Sequence, residues 1–155
     1  DEDDCMVSVS RFYLDFTVEE SCGKCTPCRI GNKRLLEMLN KITEGRGTMK
    51  DLDALSTLGK VIKDTALCGL GQTSPNPVLS TLNNFYDEYV EHVRDKTCRA
   101  KQCKALLTYT INPELCIGCH LCFKHCPADA ILGDVRKPHV INPDKCIKWH
   151  VHGTL

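Results

Sequence analysis

Two cysteine triplets restrict this chain more than any other feature. Cys22-Cys25-Cys28 and Cys116-Cys119-Cys122 each repeat at every third residue, within a set of twelve cysteines in 155 residues. Thiols that close in sequence converge readily on one metal centre. Tying each into a separate disulfide would need Cα separations and directions that neighbouring residues do not offer. A disulfide-stapled secreted domain is therefore the weaker explanation. A protein that carries metal or iron–sulfur clusters on thiolates, in a reducing compartment, is the stronger one.

Apolar periodicity arranges the residues around the first triplet into helices. Met6, Val9, Phe12, Tyr13 and Phe16 recur at three and four and predict a helix over 6–20 with that face inward. Thr26 as N-cap and Pro27 in the first turn open a helix over 26–43. Ile30, Leu35, Leu36, Leu39 and Ile42 form its stripe, and Gly45-Arg46-Gly47 stops it. Thr48 opens a third helix over 48–66 on Met49, Leu52, Leu55, Leu58, Val61 and Ile62. After a Gly- and Pro-rich turn at 67–77, a fourth over 78–96 carries Val78, Leu82, Phe85, Tyr86, Tyr89 and Val93.

The expected fold is thus mainly α. A four-helix-type bundle binding a [4Fe–4S] cluster occupies residues 1–96, a bridge 97–110, and an incomplete bacterial-ferredoxin-type α+β module 111–155. The module shows an internal repeat: Asn112-Pro113-Glu114-Leu115-Cys116 returns as Asn142-Pro143-Asp144-Lys145-Cys146, 30 residues on. Between them, Ala130-Ile131-Leu132 and His139-Val140-Ile141 flank Gly133-Asp134 as a short hairpin.

Twenty basic residues balance twenty acidic ones, which leaves no net field to attract nucleic acid. Apolar runs fall far short of the roughly 20 residues of a membrane span. Asp1 to Asp4 are the reverse of a basic leader, so a cytoplasmic location is expected. The first methionine, Met6, lies within the first helix, and the chain reads as a fragment lacking its N-terminal portion.

A cubane cluster takes four protein ligands. Cys22, Cys25 and Cys28 supply three at one helix entrance, and Cys68 is the natural fourth, because the intervening helix pair can return the chain to the same end. Lys24, Arg29 and free helix amides favour thiolates there, while Gly23, Gly69 and Gly71 let backbone amides approach sulfur. The competing four-cysteine zinc site more often uses two paired Cys-x-x-Cys arms.

The second motif continues to Cys126-Pro127 as C-x2-C-x2-C-x3-C-P, the bacterial ferredoxin run. In that pattern Cys116, Cys119 and Cys122 hold one cluster, and Cys126 reaches to a second with Cys146. The repeat then breaks, with Trp149 and His152 where cysteines are due. One back-translation of the last seven residues, read one base later, gives Gly-Met-Cys-Met-Glu-Leu, so a frameshift near Trp149 accounts for the break. The competing reading makes His150 or His152 a ligand. Of the remaining residues, His92, Cys98, Cys103 and His139 form a candidate zinc site, against the reading of Cys98 and Cys103 as inert linker thiols. Cys5 reads as a half-buried helix residue acting as a small hydrophobe, and His120 and His125 as surface residues.

ESCGKCTPCRIG followed by DTALCGLGQTSPNPVLSTL resembles the C-terminal cluster domain of the flavin-bearing, NADH-oxidising subunit of respiratory complex I. With a ferredoxin-like tail directly after it, and DEDDCMVSVSRFYLDF leading in, the chain is closer still to the equivalent subunit of NAD(P)-linked, electron-bifurcating iron-only hydrogenases. The resemblance implies a [4Fe–4S] cluster on Cys22, Cys25, Cys28 and Cys68 beside a flavin, and electron transfer with no catalytic side chain in this segment. It implies FMN and NAD(P) only in an upstream part, consistent with the lack of G-x-G-x-x-G in these residues. It also implies partner subunits: a thioredoxin-like 2Fe–2S subunit and a hydrogenase or dehydrogenase subunit. The alternatives are a non-enzymatic zinc-binding interaction module and a stand-alone ferredoxin-like carrier, for which the long helical part would be superfluous.

Overall fold

The structure is a computed structural model and describes residues 3–147. Trp149, His150, His152 and the frameshift reading lie outside the described residues. The chain divides into two compact units, the first running to Leu106 and the second starting at Leu107. The protein is mainly helical.

Helix α1 spans Met6–Glu19 and buries Val7, Ser10 and Leu14. This is not the face that the apolar letters mark: Phe12, Tyr13 and Phe16 are more than half exposed. The stripe is hidden in the sequence because its centre is a serine. The Ser10 hydroxyl is satisfied by Tyr89 Oη at 2.8 Å and by the Val7 carbonyl, so it enters the core without an orphaned polar group.

The second helix opens differently from the expected capped start. Thr26 already has helical dihedrals and makes no side-chain cap. Pro27–Gly31 form a π-helical turn, which widens the chain just where Cys28 sits, before α2 (Asn32–Thr43) continues. At its end the Gly45 and Arg46 amides bond the Ile42 and Lys41 carbonyls, with Gly45 at φ +79°, the left-handed closure that glycine allows.

Helix α3 (Met49–Thr65) starts with a complete capping box between Thr48 and Asp51. Lys41 bonds the same carboxylate at 2.8 Å, tying the end of α2 to the start of α3. The loop expected at 67–77 contains a helical turn, α4 (Gly69–Thr73). The fourth helix is broken: α5 (Asn76–Asn84) and α6 (Tyr86–Val90) are separated at Phe85, where φ −129° and ψ 39° leave the helical region. A π-helical turn, Glu91–Asp95, then ends at Lys96 in the left-handed conformation. Leu35, Leu39, Ile42, Leu52, Leu55, Ile62, Val78 and Tyr89 make the core, joined by Cys98, Cys103 and Leu106.

In the second unit, α7 (Leu121–His125) precedes an antiparallel pair, β1 (Ile131–Leu132) and β2 (Val140–Ile141). Ile131 pairs with Ile141 and Leu132 with Val140. The internal repeat is visible in the hydrogen bonds. Asn112 and Asn142 each accept the amide two residues on, and their carbonyls accept the Cys116 and Cys146 amides.

Candidate functional site

The Cys68 loop folds onto the first triplet. The Leu67 amide, one residue before Cys68, points at the Cys25 thiol. With the Cys28 amide and the Arg29 charge it holds that thiol below its ordinary pKa. On the other side Gly71 lies against Cys28: a Cβ at Gly71 would sit 3.3 Å from Cys28 Cβ and 2.7 Å from Ala66 Cβ. Glycine is required at Gly71 for this close approach. Cys22 and Cys68 are exposed, Cys25 half-buried and Cys28 buried. Thiols at Cys25 and Cys28 with the backbone of the Cys68-bearing loop against them are the donor type, with amides behind sulfur, that a [4Fe–4S] cluster takes.

Cys28 carries further partners that sequence reading misses. Ser21 Oγ lies 3.2 Å from its sulfur, and Asn32 Nδ2 donates to it at 3.4 Å. Asn32 is wholly buried, and its Oδ1 accepts the Ser74 hydroxyl at 2.9 Å.

In the second unit, Cys116 Sγ accepts the His139 amide at 3.4 Å, and this bond, with the Gly118 amide, lowers its pKa. Cys126 Sγ accepts the Ala130 amide, also at 3.4 Å. Gly118 has φ +69° and packs so tightly that a Cβ would fall 2.6 Å from Arg136 Cα. Cys119 is exposed, while Cys122 on α7 and Cys146 after the second asparagine turn are half-buried.

A third constellation corrects the candidate zinc set. Cys5, His92, Cys98 and Cys103 are all buried, with ligand atoms within 4.8 Å of one another. His139 is not among them. It belongs to the second unit, where its Nε2 is 2.8 Å from His120 Nδ1. Its place goes to Cys5, which is 1% exposed at the N-cap of α1 and is a member of this site as well as of the core. No local signal marks Cys5, since 87 residues separate it from His92. The sequence offers Cys5 only as a leftover cysteine.

Cys5 Sγ lies 3.3 Å from His92 Nε2 and 3.8 Å from Cys103 Sγ, and Cys103 Sγ lies 3.4 Å from the same nitrogen. His92 Nδ1 donates to the Glu88 carbonyl at 2.7 Å, which leaves Nε2 as the nitrogen that faces the thiols. The Cys103 thiol and His92 favour a thiolate at Cys5, whose pKa drops to about 4. Burial works against the charged form of His92, but the facing Cys5 thiolate prevails and raises it to about 9. With Cys5 ionised beside it, Cys103 is pushed up. Three thiols and one oriented imidazole, close-packed and dry, are the donor set of a structural zinc site.

Comparison with known proteins finds two iron–sulfur families along the chain. Residues 8–92 match the NADH-ubiquinone oxidoreductase-F iron-sulfur binding region, and residues 109–132 match the 4Fe-4S binding domain. The chain is 63% identical to the NADP-reducing hydrogenase subunit HndC of Solidesulfovibrio fructosivorans over 90% of its own length and 28% of that protein's. It is 40% identical to a subunit of the NADH-quinone oxidoreductase of Streptomyces coelicolor over 63% of this chain and 22% of that one. A crystal structure of NAD+-reducing [NiFe]-hydrogenase in the H2-reduced state superposes with a TM-score of 0.56 and 28% identity, covering 59% of this chain and 16% of the other. The chain therefore spans between 16% and 28% of the length of these relatives. No helix among the described residues is long and apolar enough to cross a membrane.

Proposed function

Because the chain belongs to the NADH-ubiquinone oxidoreductase-F iron-sulfur binding family, we propose that it is the electron-conducting part of an NAD(P)H-linked oxidoreductase of the hydrogenase or NADH dehydrogenase kind. Cys22, Cys25, Cys28 and Cys68 hold a [4Fe–4S] cluster in the helical bundle. Cys116, Cys119 and Cys122 serve a ferredoxin-type cluster, with Cys126 and Cys146 the remnant of another. When bound, the clusters supply one-electron transfer between a flavin elsewhere in the parent protein and partner subunits. This chain's residues ligate, bury and hydrogen-bond, and none acts as acid, base or nucleophile.

The observation that carries the reading is the folding of the Leu67–Gly71 loop onto Cys25 and Cys28. A zinc ion on Cys5, His92, Cys98 and Cys103 would tie the start of α1 to the chain leaving the helical unit. FMN and NAD(P) belong to the parent protein's upstream part. The partners proposed are a thioredoxin-like 2Fe–2S subunit and a hydrogenase or dehydrogenase subunit, in the reducing cytoplasm, where free thiolates persist. The domain division proposed is bundle 1–96, bridge 97–110 and ferredoxin-type module 111–155. The family matches do not favour a purely zinc-binding interaction module or a stand-alone carrier.

The test is iron, sulfide and zinc per chain in anaerobically purified protein. Iron and sulfide in equal amounts, about four or more per chain, with about one zinc, are expected. Zinc alone, without iron, would refute the electron-transfer reading.

A further inference from the structure

Cys28 differs from the other three thiols of the bundle site in what surrounds it. It is 4% exposed, and two side-chain donors reach its sulfur, Ser21 Oγ at 3.2 Å and Asn32 Nδ2 at 3.4 Å. A ligated thiolate has no proton to give, so both contacts have a fixed direction: Ser21 O–H and Asn32 N–H donate. That direction turns the Asn32 amide so that Oδ1 faces Ser74, whose hydroxyl, 2.9 Å from both Oδ1 and the Gly71 carbonyl, donates to it. Ser21 Oγ in turn accepts the Gly23 amide at 3.3 Å, which leaves its hydroxyl hydrogen for the sulfur. The chain of bonds begins and ends on the two segments that carry the cysteines.

Asn32 and Ser74 are 0% and 2% exposed. An amide and a hydroxyl in a helix-packed interior cost free energy that apolar side chains of the same size would not. Within the described residues, no buried side-chain nitrogen or oxygen lacks a partner. The network is therefore satisfied, and its one non-structural terminus is the Cys28 sulfur. Hydrogen bonds to cluster sulfurs stabilise the more negative, reduced state and raise the potential.

We propose that Ser21 and Asn32 are positioning residues that set the reduction potential of the bundle cluster through the Cys28 sulfur, with Ser74 aligning Asn32. The inference rests on the ligation reading above and deepens it by naming what regulates that site.

The experiment uses the full chain, loaded with iron and sulfide, in a Cys119→Ser, Cys122→Ser background, so that the bundle cluster is the sole iron signal. Asn32→Leu, Ser21→Ala, Ser21→Thr and Ser74→Ala are compared by iron content, circular dichroism and a redox titration followed by electron paramagnetic resonance. Asn32→Leu should lower the reduced-to-oxidised ratio at a fixed poise by three- to tenfold, where tenfold is about 59 mV for one electron. Ser21→Ala and Ser74→Ala should each lower it by at least threefold, and Ser21→Thr, which keeps the hydroxyl, should hold the parent value. Should Asn32→Leu fail to fold, the two alanine variants decide. Full iron content with ratios within twofold of the parent would overturn the proposal alone. An unsubstituted chain without iron would overturn the ligation on which it stands.

Discussion

Cys5 shows how one residue can change its meaning between sequence and structure. As a letter it is a lone cysteine before a helix; in the fold it joins a buried group of four candidate metal ligands, with partners 87 and 98 residues away. Nothing in its neighbourhood announces this, because the contact exists only once α1 is laid against the chain's return at His92. The cysteines of the two triplets, Cys22, Cys25 and Cys28 and Cys116, Cys119 and Cys122, are the opposite case, singled out as candidate ligands by spacing alone. Ser21, Asn32 and Ser74 were not, since a polar residue in a loop, a turn or a helix reads as solvent-facing until its partner is seen. At this scale, Cys5→Ser should weaken zinc binding at least tenfold, the effect of disturbing even the outer shell of a metal site. It should leave iron per chain unchanged. Zinc and iron analysis of the two proteins after the same dialysis checks this, and retention of zinc by the variant would remove Cys5 from the site.

The elements were legible as helices and less so as surfaces. Leu35, Leu39 and Ile42 of α2, and Leu52, Leu55 and Ile62 of α3, are buried as their spacing says. Helix α1 presents the face opposite to its aromatics, and the fourth helix breaks at Phe85, where Tyr86 is also turned outward. Periodicity counts apolar letters and cannot tell an inward stripe from an outward one when both faces hold apolar residues. The joint between α2 and α3 was half visible: Thr48 was read as a helix start, but its reciprocal partner Asp51 and the reach of Lys41 to that carboxylate were not. Burial of Asp51 opposes ionisation, but bonds from Lys41 and Thr48 outweigh it and hold the carboxyl below its ordinary value. A carboxyl whose folded pKa is depressed contributes stability above the unfolded value, about 3.9, and loses it as pH falls through the lower folded value. Asp51→Asn should therefore cost about 1 kcal/mol near neutral pH, the usual worth of a helix cap. The difference from the parent should shrink as pH drops below about 4. Urea melts at pH 7 and pH 3 test it, and an equal deficit at both would disconnect the cap from the charge.

On the scale of the whole molecule, the two units hold themselves together by different means. The first has a continuous apolar interior from Leu14 through Leu39, Leu55 and Val78 to Tyr89. In the second, among the described residues, only Gly118, Ala130 and His139 are buried, and the regular structure is one five-residue helix and a pair of two-residue strands. The backbone costs about 1–2 kcal/mol per residue to order, and so small an interior cannot supply that from apolar burial. The proposed ligation would supply the rest: Cys116 and Cys126 accept the His139 and Ala130 amides, so binding at these sulfurs would also fix the hairpin beside both residues. On the proposed ligation, metal binding and folding are one process in the second unit and separate processes in the first. Stripping iron anaerobically with a chelator should raise amide exchange across residues 107–147 to near unfolded rates, while α2 and α3 stay protected by ~100-fold or more. Hydrogen exchange read by mass spectrometry on the loaded and stripped chain measures both units at once. Equal protection of residues 107–147 in the two states would show that something other than ligation orders the second unit. Loss of protection in α3 together with the second unit would show that the core around Leu55 does not stand without its cluster.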